Sequence, residues 1–321
     1  MTRNLYLGAD VGGTNVKFAV VSASGEVILT GDIATELSDP RLSLDRMAAA
    51  AREGLSADAG EIKAAGLACA GIVSPATGIL GRAPNLTRWE GADLVAAMAE
   101  SVGLPAVVAN DVNAALYGEW CLGAGRGFRD LVMIALGTGV GGAVMIDGRL
   151  VTGSRDGAGE IGHMILDPAG PLCSCGNRGC LESYAGARGL VQAAREQALC
   201  VNASEKLARR IEERGDLFSP SDLHDLALGG DPDSREVLDR AGRMLGIAVG
   251  NLVNVLDPQR VIIGGGVARA GDYLLEPCLG EAHRIVMSRR SREVDLKPAE
   301  LGTHAASLGA AMMSRDLEQP R

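Results

Sequence analysis

Residues 5–20 read LYLGADVGGTNVKFAV: an apolar run ends on Asp10, turns through Gly12 and Gly13, and resumes as a second apolar run. That pattern predicts a strand, glycine turn, strand hairpin. The theme recurs between Asp130 and Asp147 as LVMIALGTGVGGAVMID, so the chain carries two hairpins of one design. Around them, helical spacing at Leu44, Met47, Ala48, Ala51 and Leu55 alternates with short apolar strands at 64–70 and 106–109. Alternating helices and strands of this kind predict layered α/β domains. Further on, Ser234 to Leu256 keeps an apolar stripe at helical spacing until Asp257-Pro258 stops it, and VIIGGG follows as a strand into a third glycine turn. The expected division is a small N-terminal α/β domain over 1–113 and a larger one over 114–304. The last helix, within 305–321, is expected to pack back on the first.

With 321 residues, 47% of them hydrophobic, the chain can bury a core large enough for two domains. A net charge of -9 offers no basic face to a phosphate backbone, so no nucleic-acid partner is expected. No apolar run reaches the length of a membrane helix, and no membrane partner is expected either. Aromatic residues make up 3% of the chain while glycines number 44, which favours recognition by backbone amides over aromatic platforms.

The three glycine turns each follow an apolar strand: Asp10-Val-Gly12-Gly13-Thr14, Gly137-Thr138-Gly139, and Gly264-Gly265-Gly266. Amides freed at such turns point at anions, and three together favour phosphate over ordinary hairpins. None ends in the Lys-Ser/Thr pair of a P-loop, and none leads into a dinucleotide fingerprint. Asp10, at a strand end beside the first turn, is a natural oxygen ligand for Mg2+; capping the turn is its plainer role.

A second cluster lies at 163–180, HMILDPAGPLCSCGNRGC, which holds His163, Cys173, Cys175 and Cys180 in a run broken by proline and glycine. Four nitrogen and sulfur ligands suit a closed, structural Zn2+ site, whereas a catalytic zinc keeps one position open. Disulfide pairing is the alternative. The odd total of seven cysteines and the lack of a signal peptide at the start weigh against it, and fit reduced thiols in a cytoplasmic protein.

With DVGGTN at 10–15, AGIVSP at 70–75, NDVNAA at 110–115, LGTGVGG at 136–142, GEIGH at 159–163 and CSCGNRGCLE at 173–182, the chain resembles the ROK family of sugar kinases and related repressors. The resemblance runs from about residue 5 to residue 313. It implies an actin-like, ribonuclease-H-like fold of two α/β domains around a cleft. It also implies that Asp111 is the general base toward a sugar hydroxyl, and that Asn85, Asn110, Asp111, Glu160, His163 and Glu182 bind the sugar. The cofactors implied are ATP with Mg2+, the three glycine turns and Asp10 facing the phosphates, and a zinc that fixes His163 beside the sugar. The motifs lie nearest the family's glucokinases, so the expected reaction moves the γ-phosphoryl group of ATP to the 6-hydroxyl of glucose. N-acetylglucosamine, N-acetylmannosamine, mannose and fructose remain alternative acceptors, and polyphosphate an alternative donor. The family's habit further implies a homo-oligomer, dimer or tetramer. A sugar-responsive regulator is the remaining class; nine residues before Asp10 leave no room there for a helix-turn-helix domain.

Overall fold

The computed structural model describes residues 3–83 and 85–318. The described residues form two compact units and two five-stranded sheets. The first comprises residues 1–128, 148–158 and 299–321; the second comprises 129–147 and 159–298.

In the first unit, β1 (Asn4–Val11), β2 (Asn15–Ser22) and β3 (Val27–Ala34) form an antiparallel meander, and β4 (Glu61–Cys69) and β5 (Ala106–Asn110) add in parallel beside β1. The sheet order is therefore β3-β2-β1-β4-β5. The alternation of β1 explains its two covered faces. Leu5, Leu7, Ala9 and Val11 point into one core, with Leu44 and Met47 of α1 (Pro40–Gly54) and Leu94 and Met98 of α2 (Leu94–Val102). Tyr6 points the other way, into a cluster with Leu308, Ala311 and Met312. Helix α1 starts at Pro40, capped by the Asp39 side chain, and buries the four inner positions its spacing marked; it ends at Gly54, one residue short of Leu55.

The opposite face carries α3 (Asp111–Leu122), which follows β5 directly. The first unit thus extends to Phe128, beyond the boundary expected near 113, because α3 packs on the C-terminal helix Ala305–Glu318 of the same unit. That crossing is closed by glycine. A Cβ at Gly309 would lie 1.7 Å from the Ala114 carbonyl oxygen, so the backbones approach more closely than any side chain allows. Gly309→Ala is expected to cost roughly 3 kcal/mol, since neither helix backbone can retreat without opening the core. A thermal melt that shifts by less than a degree would show that this crossing yields.

The second unit repeats the theme. β6 (Leu131–Leu136) and β7 (Val140–Ile146) form the second hairpin, and β9 (Arg260–Gly264) and β10 (Leu296–Pro298) add in parallel on the other side of β6, while the two-residue β8 (Arg149–Leu150) falls in the 148–158 stretch of the first unit. Four helices, α4 (Glu182–Ala185), α5 (Ala187–Gln197), α6 (Glu205–Arg214) and α7 (Pro220–Leu228), lead to α8 (Pro232–Leu256), which pairs with α9 (Asp272–Ile285). Helix α8 spans the predicted stripe; the buried Asp231 carboxylate caps its start and Asp257, with a φ of 44°, ends it. The C-terminal helix of the first unit, Ala305–Glu318, is α10. Among the described residues, no helix is long and apolar enough to cross a membrane.

Candidate active site and metal centre

Both sheets gather the predicted residues at the carboxyl ends of their parallel strands, where open α/β sheets present loops and helix N-termini to ligands. In the first unit, β1 ends in Asp10 and the Gly12–Thr14 turn, β4 ends at Cys69, and β5 ends at Asn110, paired in register with Cys69. Turn geometry follows from short bonds: the Gly12 N–H donates to Asn15 O at 3.0 Å, and the Thr35 hydroxyl donates to Gly12 O at 2.8 Å. Asn85 is exposed and lies against the turn, its Cβ 3.2 Å from where a Cβ on Gly13 would be.

Asp111 is the first residue of α3, a position at which a negative charge meets the positive end of the helix dipole. One of its carboxylate oxygens accepts the Val112 N–H at 3.0 Å. Asn110 is the N-cap, accepting the N–H groups of Val112 and Asn113 at 2.9 and 3.2 Å, while its Nδ2 donates to Gly71 O at 3.1 Å. Both ends of the Asn110 amide therefore hold the loop that presents Asp111. The two carboxylates feel each other. Burial pushes the Asp10 carboxyl up to about 7, the Asp111 charge adds to the rise, and Lys17 opposes it. The same two acids, after burial, push the Cys69 thiol up to about 12. Lys17 escaped the motif-based reading; it stands opposite Asp10 in the β1–β2 register, which the hairpin pattern could have shown. Asn113, the second asparagine of NDVNAA, has its Oδ1 buried with no hydrogen-bond partner among the described residues.

In the second unit, β6 and β9 run side by side with Ala135 opposite Gly264, so the Gly137–Gly139 turn and the Gly264–Gly266 turn emerge from neighbouring strand ends. Gly265 adopts a φ of 89°, and a Cβ there would be 2.3 Å from Leu136 O. Thr138 is exposed at the tip of the first turn. Glu160 is exposed too, and begins the tight turn Ile161–His163 that delivers the histidine to the cysteines. Glu182 opens α4 and is bonded on both oxygens, to the Val140 N–H and to the Ser174 hydroxyl. Burial pushes the Glu182 carboxyl up, but these bonds outweigh it and hold the carboxyl below its usual range.

One ligand atom each from His163, Cys173, Cys175 and Cys180 falls within 4.8 Å of the others. The Cys175 and Cys180 sulfurs lie 3.7 Å apart, and Cys173 Sγ lies 3.8 Å from His163 Nδ1. Ligands around tetrahedral zinc stand on the order of 3.5–4 Å from one another, whereas a disulfide would need about 2 Å. No disulfide forms among the described residues, and the donor set fits a closed structural zinc.

The ROK family model matches residues 6–316. This chain belongs to the ROK family. Its ROK relatives include the glucokinase of Streptomyces coelicolor, 35% identical over 97% of this chain and 98% of that protein. The glucokinase of Halalkalibacterium halodurans is 33% identical over 99% of this chain and 97% of its own length. Among solved structures, a ROK family glucokinase from Streptomyces griseus in complex with glucose and AMPPNP superposes with a TM-score of 0.80 at 33% identity, covering 97% of this chain and 99% of that one. The expected actin-like architecture is thus the fold of this ROK chain.

Proposed function

We propose that the protein is a hexose kinase that moves the γ-phosphoryl group of ATP to the 6-hydroxyl of glucose, with Asp111 as general base. The observation that carries this reading is the pairing of two carboxylates, Asp10 and Asp111, close enough to disturb each other at the ends of β1 and β5, the parallel strands on either side of β4, beside a glycine turn. The names of the full-length relatives and the glucose and AMPPNP held by the Streptomyces griseus structure support the substrate pair.

Phosphoryl transfer asks the protein mainly for positioning and charge compensation. Asp111 takes the proton of the 6-hydroxyl as its oxygen bonds to the γ-phosphorus, and the bond to the ADP oxygen breaks. The Asn110 cap holds the loop that aims that carboxylate, at the positive end of the α3 dipole. Asn85, Glu160, His163 and Glu182 orient the remaining hydroxyls, each able to accept or donate and so to reject sugars lacking its partner. Asn110 holds the loop through its Oδ1 and one Nδ2 hydrogen, and the other Nδ2 hydrogen is the donor it offers to a sugar hydroxyl. Backbone amides of Gly12, Gly13, Thr14, Gly137, Thr138 and Gly139 face the phosphates, and Gly264–Gly266 accommodates the nucleotide. Asp10 would hold magnesium, directly or through water, which supplies neutralising charge to the phosphate oxygens. His163, Cys173, Cys175 and Cys180 would hold the zinc, whose contribution is a fixed imidazole.

An ADP-release assay with magnesium and ATP across glucose, mannose, fructose, N-acetylglucosamine and N-acetylmannosamine tests the proposal. Glucose is expected to lead in kcat/KM by at least about tenfold, since one well-placed hydrogen bond decides such a ratio. A leading acetylated sugar would overturn the assignment to glucose, and no turnover with ATP or polyphosphate would overturn the kinase reading.

A further inference from the structure

Glu182 joins three segments of the second unit. Its Oε2 accepts the main-chain N–H of Val140 at 3.1 Å, at the exit of the Gly137–Gly139 turn, and its Oε1 accepts the Ser174 hydroxyl at 2.7 Å. Ser174 lies between Cys173 and Cys175, two of the candidate zinc ligands. A Cβ on Gly139 would be 2.2 Å from Oε2, so the turn closes on this carboxylate as tightly as glycine permits.

We infer that Ser174 is a positioning residue which, by holding Glu182, couples occupancy of the zinc site to the conformation of the Gly137–Val140 turn. A glutamate's terminal torsion is broad, so the single bond to Val140 would leave the carboxylate free to swing. The Ser174 hydroxyl is the second anchor that removes this freedom. Cys173 Sγ also lies 3.6 Å from Oε1, but a thiolate bound to metal has no proton to give. Among the described residues, Ser174 is then the side-chain donor left on that oxygen. The 178–180 end of the segment is anchored to 165–172, with Leu166 N–H donating to Gly179 O at 2.8 Å, but the exposed stretch 174–177 that carries Ser174 is held by turn bonds such as Cys173 N–H to Asn177 O at 2.8 Å and Gly176 N–H to Cys173 O at 3.0 Å. Zinc ligation on either side of Ser174 would fix its position, and with it the carboxylate and the turn.

The consequence for phosphate affinity rests on the proposed reading of this turn as a phosphate cradle, and the experiment separates the two. Full-length wild type, Ser174→Ala and Ser174→Thr are compared, each checked for zinc content, by amide hydrogen exchange over 137–141 and by calorimetric binding of AMPPNP with magnesium. Ser174→Ala is expected to keep its zinc and its melting temperature, to exchange faster at Val140, and to bind AMPPNP three- to tenfold more weakly, the range of one charge-assisted hydrogen bond. In turnover it raises KM for ATP more than it lowers kcat, and Ser174→Thr restores both readouts. Removing zinc speeds the same exchange in wild type and adds little in Ser174→Ala, as coupled groups do in a double cycle. Unchanged exchange in zinc-loaded Ser174→Ala, or an equal effect of zinc removal in both proteins, would overturn the inference. Faster exchange at Val140 with no AMPPNP binding to wild type would uphold the coupling and remove the phosphate reading instead.

Discussion

Asp111→Asn is expected to fold, to bind glucose and to turn it over about 1,000-fold more slowly than wild type, within the range of a lost general base. The substitution keeps the shape of the side chain and an oxygen for the Val112 N–H, so the loop set by Asn110 stays in place. What goes is the basic oxygen. A charge is also lost from the first turn of α3, worth less than about 1 kcal/mol at such a position, so the melting temperature moves little. The deficit is therefore expected in kcat, with KM for glucose within a few-fold, since the amide still hydrogen-bonds the hydroxyl it can no longer deprotonate. A second readout comes from the neighbour. Part of the rise in the Asp10 carboxyl is the field of Asp111, so Asn at 111 lets Asp10 titrate nearer its ordinary range, visible in the pH dependence of a carbon-detected carboxyl signal. Activity above a tenth of wild type would remove Asp111 from the role of base.

The residues differ in how openly they announce themselves. Both hairpins, α8 and the three glycine turns follow from local pattern: apolar runs broken by glycine, and a helical stripe bounded by Asp231 and Asp257-Pro258. The zinc cluster is local as well, because His163 and the three cysteines reach one another through short turns. The extent of the first unit is another matter. Helix α3 stays with it because Ala114 and Gly118 meet Gly309 and Ala305, and nothing near residue 114 marks a partner more than half the chain away. Asn110 illustrates a further limit, since NDVN suits a ligand and a helix cap equally, and the three bonds of its amide show it serving as the cap. Glu182 looked like a sugar ligand alone. Its bonds to Val140 and Ser174 depend on how three separate loops pack, which no spacing rule carries.

Asp10→Asn is expected to make the protein free of ligand more stable above neutral pH and to remove the proposed response to magnesium and nucleotide. The Asp10 carboxyl is pushed up to about 7, chiefly by burial, whereas in the unfolded chain it titrates near 3.8. The folded state therefore holds this proton more tightly than the unfolded state. Its contribution to stability is fully present below the unfolded value, declines as pH rises toward 7, and is lost above it. Across that window the loss amounts to roughly 4 kcal/mol, the cost of an ionised carboxylate kept from water beside a second one. Asparagine carries no charge at any of these pH values, so the gap in melting temperature between mutant and wild type should open from pH 5 to pH 8. Such a cost is tolerable where a cation repays it. Magnesium with AMPPNP should raise the melting temperature of wild type steeply at pH 8 and less at pH 5.5, where a proton must first be displaced, and should leave Asp10→Asn almost unmoved at both. A mutant no more stable than wild type at pH 8 would mean that the carboxylate is already compensated by Lys17, and equal stabilisation of the two proteins by the nucleotide would take the metal-holding role away from Asp10.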